Sequence, residues 1–329
     1  MANYKVGDII RLTRKSVGMS QEEIAFLAEL TPETISRIES GKHKITQNTY
    51  RKIMSILKRF SNQNYAICTG KDVGIIDEKK LLEEAEIKFE YKEAEKHLNN
   101  LKEQIGDNII DLQYVLRAET LLDYYNHKIV AETMVKNLEE ALKLTLVDWD
   151  IHSNFYMSEN EVYPFTEQEI LILMNLSGAY NECGNPEMSE KISNMILKCL
   201  NAEYLKSDET ENLKLVIKRN LALACQHMKR YEDALSLLQE ILKQAITLKY
   251  GLMVILALYD ITWNMQKINE ISGCEKYNWN EIKKKKLQVY YIAAARGDNY
   301  IKNLVAKSYR KLFDEDIEKI GRASCRERV

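Results

Sequence analysis

Residues 19–42 read MSQEEIAFLAELTPETISRIESGK, and their punctuation sets out two short helices joined by a tight turn. Ser20, with Glu23 three places on, forms a capping box, so a helix opens after Ser20. Thr31 caps the next helix. Pro32 takes its first position, where a missing N–H costs nothing, and Gly41 ends it. Upstream, residues 6–17 fit a helix stopped by Gly18 as a left-handed cap. Downstream, Thr46 opens a fourth helix through about Lys58, with Ile53, Ile56 and Leu57 on its inner face. The four helices make residues 1–60 a small domain of their own.

The rest of the chain is long enough for at least one further core. Gly and Pro number only 12 and 3, which favours an all-α protein. The polar stretch 61–76, with two glycines and weak period, reads as a linker. From 77 to 319 the sequence is a train of amphipathic helices, and it repeats itself. MNLSGAYNECGNPEMSEKISNMIL (174–197) lies without a gap over RNLALACQHMKRYEDALSLLQEIL (219–242). Asn175, Leu176, Ala179, Ile196 and Leu197 match Asn220, Leu221, Ala224, Ile241 and Leu242. RYEDALSLLQEIL has the form of the second helix of a tetratricopeptide pair, so the expected body is a tetratricopeptide-like α-superhelix. Residues 90–101 and 136–146 read as further second helices, and 250–313 as two more pairs. Thr166 and Glu169 form a capping box after Pro164, following a long aromatic-rich connection at 148–163. Residues 320–329 lack the apolar period and resemble translated read-through of a sequencing adapter. On that reading Cys325 is not a natural thiol and the natural C-terminus is missing.

Charge divides the same way. Residues 1–60 hold eleven Lys/Arg against six acids, a balance of +5, while the whole chain carries −2. A basic head on an acidic body suits a nucleic-acid reader with a separate sensing part. Six scattered cysteines make no CxxC pair and no metal-ligand spacing, and five histidines do not pair. No P-loop, GxGxxG, HExxH or GxSxG is present, so neither an enzyme nor a cofactor is expected. The apolar run 251–263 is broken by Asp260 and is too short for a bilayer. With no signal peptide, the expected location is the cytoplasm, away from membranes.

Arg14, Ser20-Gln21, Glu23-Ile24-Ala25 and Ile35-Ser36-Arg37-Ile38-Glu39-Ser40-Gly41-Lys42 together resemble the Cro/phage-repressor helix-turn-helix family, also called XRE. The resemblance covers about a sixth of the chain and implies double-stranded DNA as a partner. It implies that Gln21 contacts a phosphate and can brace the recognition helix, and that Pro32, Glu33, Ser36 and Arg37 lie near base edges in the major groove. Arg37 suits guanine and Glu33 suits cytosine N4. Thr31, Lys42 and Lys44 would hold phosphates and fix register. Arg14 and Glu39 would be a buried scaffold pair. Glu29 departs from the family, standing where the turn usually has Gly, and there it must adopt a strained conformation or alter the turn.

A helix-turn-helix joined to a loose tetratricopeptide body is similar to the peptide-pheromone-responsive regulators of Gram-positive bacteria, the RRNPP group of Rgg-, PlcR- and PrgX-like proteins. That resemblance implies a quorum-sensing transcription regulator. It would be a homodimer on an inverted-repeat operator, with a short signalling peptide in the concave face of the body. Asn175 and Asn220 are the candidate peptide contacts, because Asn supplies both a donor and an acceptor to an extended main chain. Tyr180, Tyr259 and Trp263 would add apolar pockets. The alternative keeps DNA binding and makes the body only a dimerisation or protein-interaction scaffold.

Overall fold

The computed structural model describes residues 6–43, 45–57, 70–146, 165–201 and 208–317. The first four helices are α1 (Val6–Ser16), α2 (Gln21–Ala28), α3 (Pro32–Glu39) and α4 (Gln47–Ile56). Each predicted cap is in place. Ser20 and Glu23 close both halves of their box, and Thr31 and Thr46 accept from the backbone N–H groups of Thr34 and Thr49. Gly18 and Gly41 both take positive φ. Ile10, Ile24, Ile35, Ile38 and Ile53 make the core of this domain. At Gly7 the backbones of α1 and α3 nearly touch. A Cβ there would sit 2.2 Å from the carbonyl oxygen of Ile38, so only glycine fits.

The body runs α5 (Gly70–Ile87), α6 (Tyr91–Gln104), α7 (Ile109–Tyr125), α8 (Ala131–Lys143), α9 (Glu167–Glu182) and α10 (Pro186–Leu200). It continues as α11 (Asp208–His227), α12 (Tyr231–Thr247), α13 (Gly251–Ser272), α14 (Trp279–Arg296) and α15 (Asn299–Phe313). Connections of a few residues, as between α5 and α6, α6 and α7, α7 and α8, α9 and α10, and α12 and α13, turn the chain back so that neighbouring helices pack side by side in groups, as in tetratricopeptide pairs. In one of them α5, α6 and α7 share a core of Leu82, Leu98, Leu101, Val115 and Leu122. By contact the chain divides into residues 1–210 and 211–329. The second unit has its own core, with Leu215, Leu238, Ile241, Met253, Ile261 and Ile282.

The turns share one geometry. Glu29, Phe89, His127, Gly184, Lys229, Lys249 and Gly297 all take positive φ directly after a helix. In each, that residue's own N–H and the next one reach back to helix carbonyls, as at Lys229 to Gln226 and Arg230 to Cys225. Five of these seven are not glycine. The unusual Glu29 therefore takes the left-handed conformation (φ 58°, ψ 41°) and keeps the turn intact. Its carboxylate also meets Lys52 at 2.8 Å on the surface.

The internal repeat is visible in three dimensions. Ala179 and Ala224 are fully buried, as are Ile196 and Ile241, and Gly184 and Lys229 occupy the same turn position. The seams between paired helices differ in chemistry. Ser177 bonds Ser193 at 2.7 Å and Ser189 at 3.0 Å, whereas the matching residues are Ala222, Leu238 and Ala234.

Two expectations need correction. Residues 70–76, assigned to a linker, are the first two turns of α5, and 61–69 lie outside the described residues. The stretch 250–313 forms three helices, not two pairs, because α13 continues unbroken for 22 residues. In the lysine run 283–286, Lys286 lies wholly inside and Lys283 pairs with Glu315 at 2.5 Å. The connection 148–163 and the tail 320–329 lie outside the described residues.

Candidate nucleic-acid interface and ligand site

The two faces of α3 carry different chemistry. Inward, Glu39 is buried and receives Arg14 Nε on Oε1 at 2.7 Å and Arg14 Nη2 on Oε2 at 3.0 Å. Arg14 Nη1 donates to the Met19 carbonyl at 2.7 Å, so the guanidinium ties α1, α3 and the chain before α2 together. Gln21 Nε2 donates to Glu39 Oε2 at 2.7 Å. Its bracing role is thus built, and it is made through the scaffold pair. Such a set of buried charges holds only when every member has a partner.

Outward, Thr31, Pro32, Glu33, Ser36 and Arg37 are all exposed on one end and one side of α3. Thr31 Oγ1 accepts from Thr34 N at 3.1 Å and bonds Thr34 Oγ1 at 2.8 Å, so its first duty is the cap. Lys42 is exposed just past the helix, and its backbone N–H closes the C-terminal turn on the Arg37 carbonyl at 2.9 Å. Lys44 lies outside the described residues. The structure gathers the expected base-facing side chains on one accessible surface and withholds Arg14 and Glu39 from it.

The helix-turn-helix family (HTH_3) matches residues 10–59. The first domain is a helix-turn-helix domain. No curated protein matches the sequence. Among solved structures, the chain resembles Bacillus thuringiensis PlcR in complex with the peptide PapR7 and DNA. The identity is 18%, the TM-score 0.58, and the match covers 92% of this chain and 98% of that one. The apo form of PlcR matches at 16% identity and a TM-score of 0.53, over 91% of this chain and 98% of its own. Apo ComR from Streptococcus thermophilus matches at 14% identity and a TM-score of 0.50, over 94% and 99%. At these identities the likeness establishes a shared fold, an all-α helix-turn-helix protein with a tetratricopeptide-like body.

In the body, Asn175 is half-buried on α9 and its Oδ1 lies 3.5 Å from Arg117 Nη1 on α7. Arg117 is itself buried, with its guanidinium 5.2 Å from the Tyr114 ring centre and its Nε unpartnered. Close by on α5, Glu86 Oε1 is also unpartnered, and burial pushes its carboxyl up against the opposing pull of Arg117. Asn220 is half-buried on α11 and engaged in contacts of its own. Tyr180 is core rather than pocket, its Oη donating to Glu139 at 2.8 Å. Trp263 packs 6.0 Å from Tyr231, and Tyr259 lies beneath the Lys286 ammonium. Sequence reasoning missed Arg117, one cation inside the apolar run of α7, and Gly7, whose spacing carries no local signal. Among the described residues no His/Cys/Asp/Glu group could hold a metal, and no helix is long and apolar enough to cross a membrane.

Proposed function

We propose that this protein is a sequence-specific DNA-binding transcription regulator, without enzymatic activity, whose body binds a short peptide. The observation that carries the DNA half is the sorting of charge on α3. Arg14 and Glu39 are consumed inward, with one Nε2 hydrogen of Gln21 spent on Glu39, while Glu33, Ser36 and Arg37 stand exposed on a helix with the right caps for insertion into a major groove. Arg37 then reads guanine, Glu33 reads cytosine and Ser36 adapts to either, with Pro32 in van der Waals reach of a base edge. Gln21, Thr31, Lys42 and Lys44 position the domain on phosphates. A homodimer would present two such helices to an inverted repeat.

The peptide half is supported by Asn175 and Asn220 at equivalent places in the repeat, and by a fold shared with PlcR, which has been solved with both PapR7 and DNA. Each Asn offers a donor and an acceptor to a peptide main chain. The test uses the full chain. Purified protein should retain inverted-repeat duplexes over random ones at moderate salt, and short peptides should change that affinity. Equal binding to every duplex overturns the DNA reading. A stable dimer that no peptide affects favours the body as a dimerisation scaffold.

A further inference from the structure

Helix α9 contains a glycine that its own fold does not require. Gly178 lies in the interior of α9, where glycine costs about 1 kcal/mol relative to alanine. Its φ is not left-handed, and a Cβ placed on it would meet no described atom within 4 Å. Among the described residues neither a turn nor a close internal approach accounts for it, in contrast to Gly7. In the repeat alignment the matching residue of α11 is Leu223, so this helical position accepts a large side chain. Gly178 lies on the same stripe of α9 as Leu171 and Asn175, the half-buried side of a helix otherwise deep in the core. At Asn175 this stripe meets Arg117, a guanidinium only 4% exposed whose Nε has no partner.

We infer that Gly178 is a notch in α9 against which the main chain of an extended peptide lies, with Asn175 as its hydrogen-bond partner one turn away. This rests on the peptide-binding reading above and names where in the body the peptide touches. Lacking a side chain, Gly178 lets a second backbone come closer to the helix than any other residue allows. Asn175 Oδ1 faces Arg117, which leaves the Asn175 Nδ2 hydrogens for a peptide carbonyl. Arg117, buried behind it, holds that oxygen and so fixes which edge of the amide is left for a ligand. An amide donor beside a bare stretch of helix suits the carbonyl edge of an extended chain, so contact is made with main chain rather than with a bulky side chain.

The experiment starts from a pool of short random-sequence peptides with free termini, equilibrated with full-length protein. Recovered peptides are identified, and the best is resynthesised and titrated against wild type, Gly178→Ala and Gly178→Leu. Gly178→Ala should raise the melting temperature by about 2 °C, because it only removes backbone freedom. The same change should weaken the peptide severalfold, and Gly178→Leu should weaken it by at least about tenfold. Methylating the peptide's backbone nitrogens one at a time should reveal a single short segment intolerant of bulk. Undiminished binding to Gly178→Leu overturns the notch and leaves peptide binding standing. A lower melting temperature in Gly178→Ala also overturns it, since the glycine would then serve internal packing. If wild type retains no peptide, the peptide reading itself falls, and the notch with it.

Discussion

Two buried cations, Arg14 in the helix-turn-helix domain and Lys286 in the body, follow opposite rules. Arg14 makes three hydrogen bonds, two of them to the carboxylate of Glu39. Lys286 is wholly inaccessible, yet it has only the Ser308 hydroxyl at 2.9 Å and the face of Tyr259, with no carboxylate partner among the described residues. Burial alone pulls its ammonium down to about 8. A saturated charge is scaffold, and its loss is destructive. An unsaturated one is a standing cost, and its loss is a gain. Arg117, with one long bond and an idle Nε, lies between these cases, and the peptide contact proposed above is placed beside the Asn175 that it holds.

The largest expected effect tests the saturated case. Arg14→Ala leaves Glu39 buried without its cation and should cost about 3–5 kcal/mol. Circular dichroism and DNA binding should fail together in that variant. A folded Arg14→Ala domain that merely binds DNA less well would break the comparison.

The opposite sign is expected at Lys286. Replacing it with Met should stabilise the second unit by about 2 kcal/mol near neutral pH. Its folded pKa is depressed from the ordinary 10.5, so the penalty is fully present below about 8 and vanishes as pH rises toward 10.5. Wild type should therefore close the gap on Lys286→Met in melting experiments between those limits. A gap that does not change with pH would show that the gain comes from packing, not charge.

Smaller effects sharpen the outward face of α3. Arg37→Ala should leave stability unchanged while costing about 1–3 kcal/mol of DNA affinity, concentrated at one base pair of each half-site. Lys42→Ala should weaken all duplexes alike and lower the salt slope by about 1. The smallest change is Glu29→Gly, expected to gain about 0.5–1 kcal/mol by relieving a left-handed glutamate. The surface pair with Lys52 that it forfeits is worth little. A destabilised Glu29→Gly would mean that the Lys52 contact contributes more than its exposure suggests.

The legible parts of the sequence were those with local chemistry. Ser20, Thr31, Thr46 and Thr166 each cap the helix that their side-chain chemistry predicts, since a cap is decided within four residues. The register of the repeat was legible too, because small residues such as Ala179 and Ala224 mark where paired helices must approach. Less legible were turns closed without glycine, as at Phe89, His127, Lys229 and Lys249, where backbone hydrogen bonds of the turn accompany a left-handed residue that propensity disfavours. Long-range facts were hidden altogether. Gly7 is fixed by a backbone on another helix, and Lys286, one of four consecutive lysines, is buried by contacts from α13 and α15 that lie far off in the sequence. Within the candidate interface, spacing separated Arg37 from Arg14 only through resemblance. The geometry separates them by what each touches.

The account rests most heavily on α3 reading DNA, and a selection from random duplex DNA tests this directly. Full-length protein and its Arg37→Ala variant would be selected in parallel at moderate salt, with the enriched sites compared base by base. The expected result is an inverted repeat for wild type, with the same site recovered by the variant except for lost preference at one symmetric position. Failure of wild type to enrich any sequence, or identical preferences in both proteins, would contradict the assignment of α3 as the reading helix.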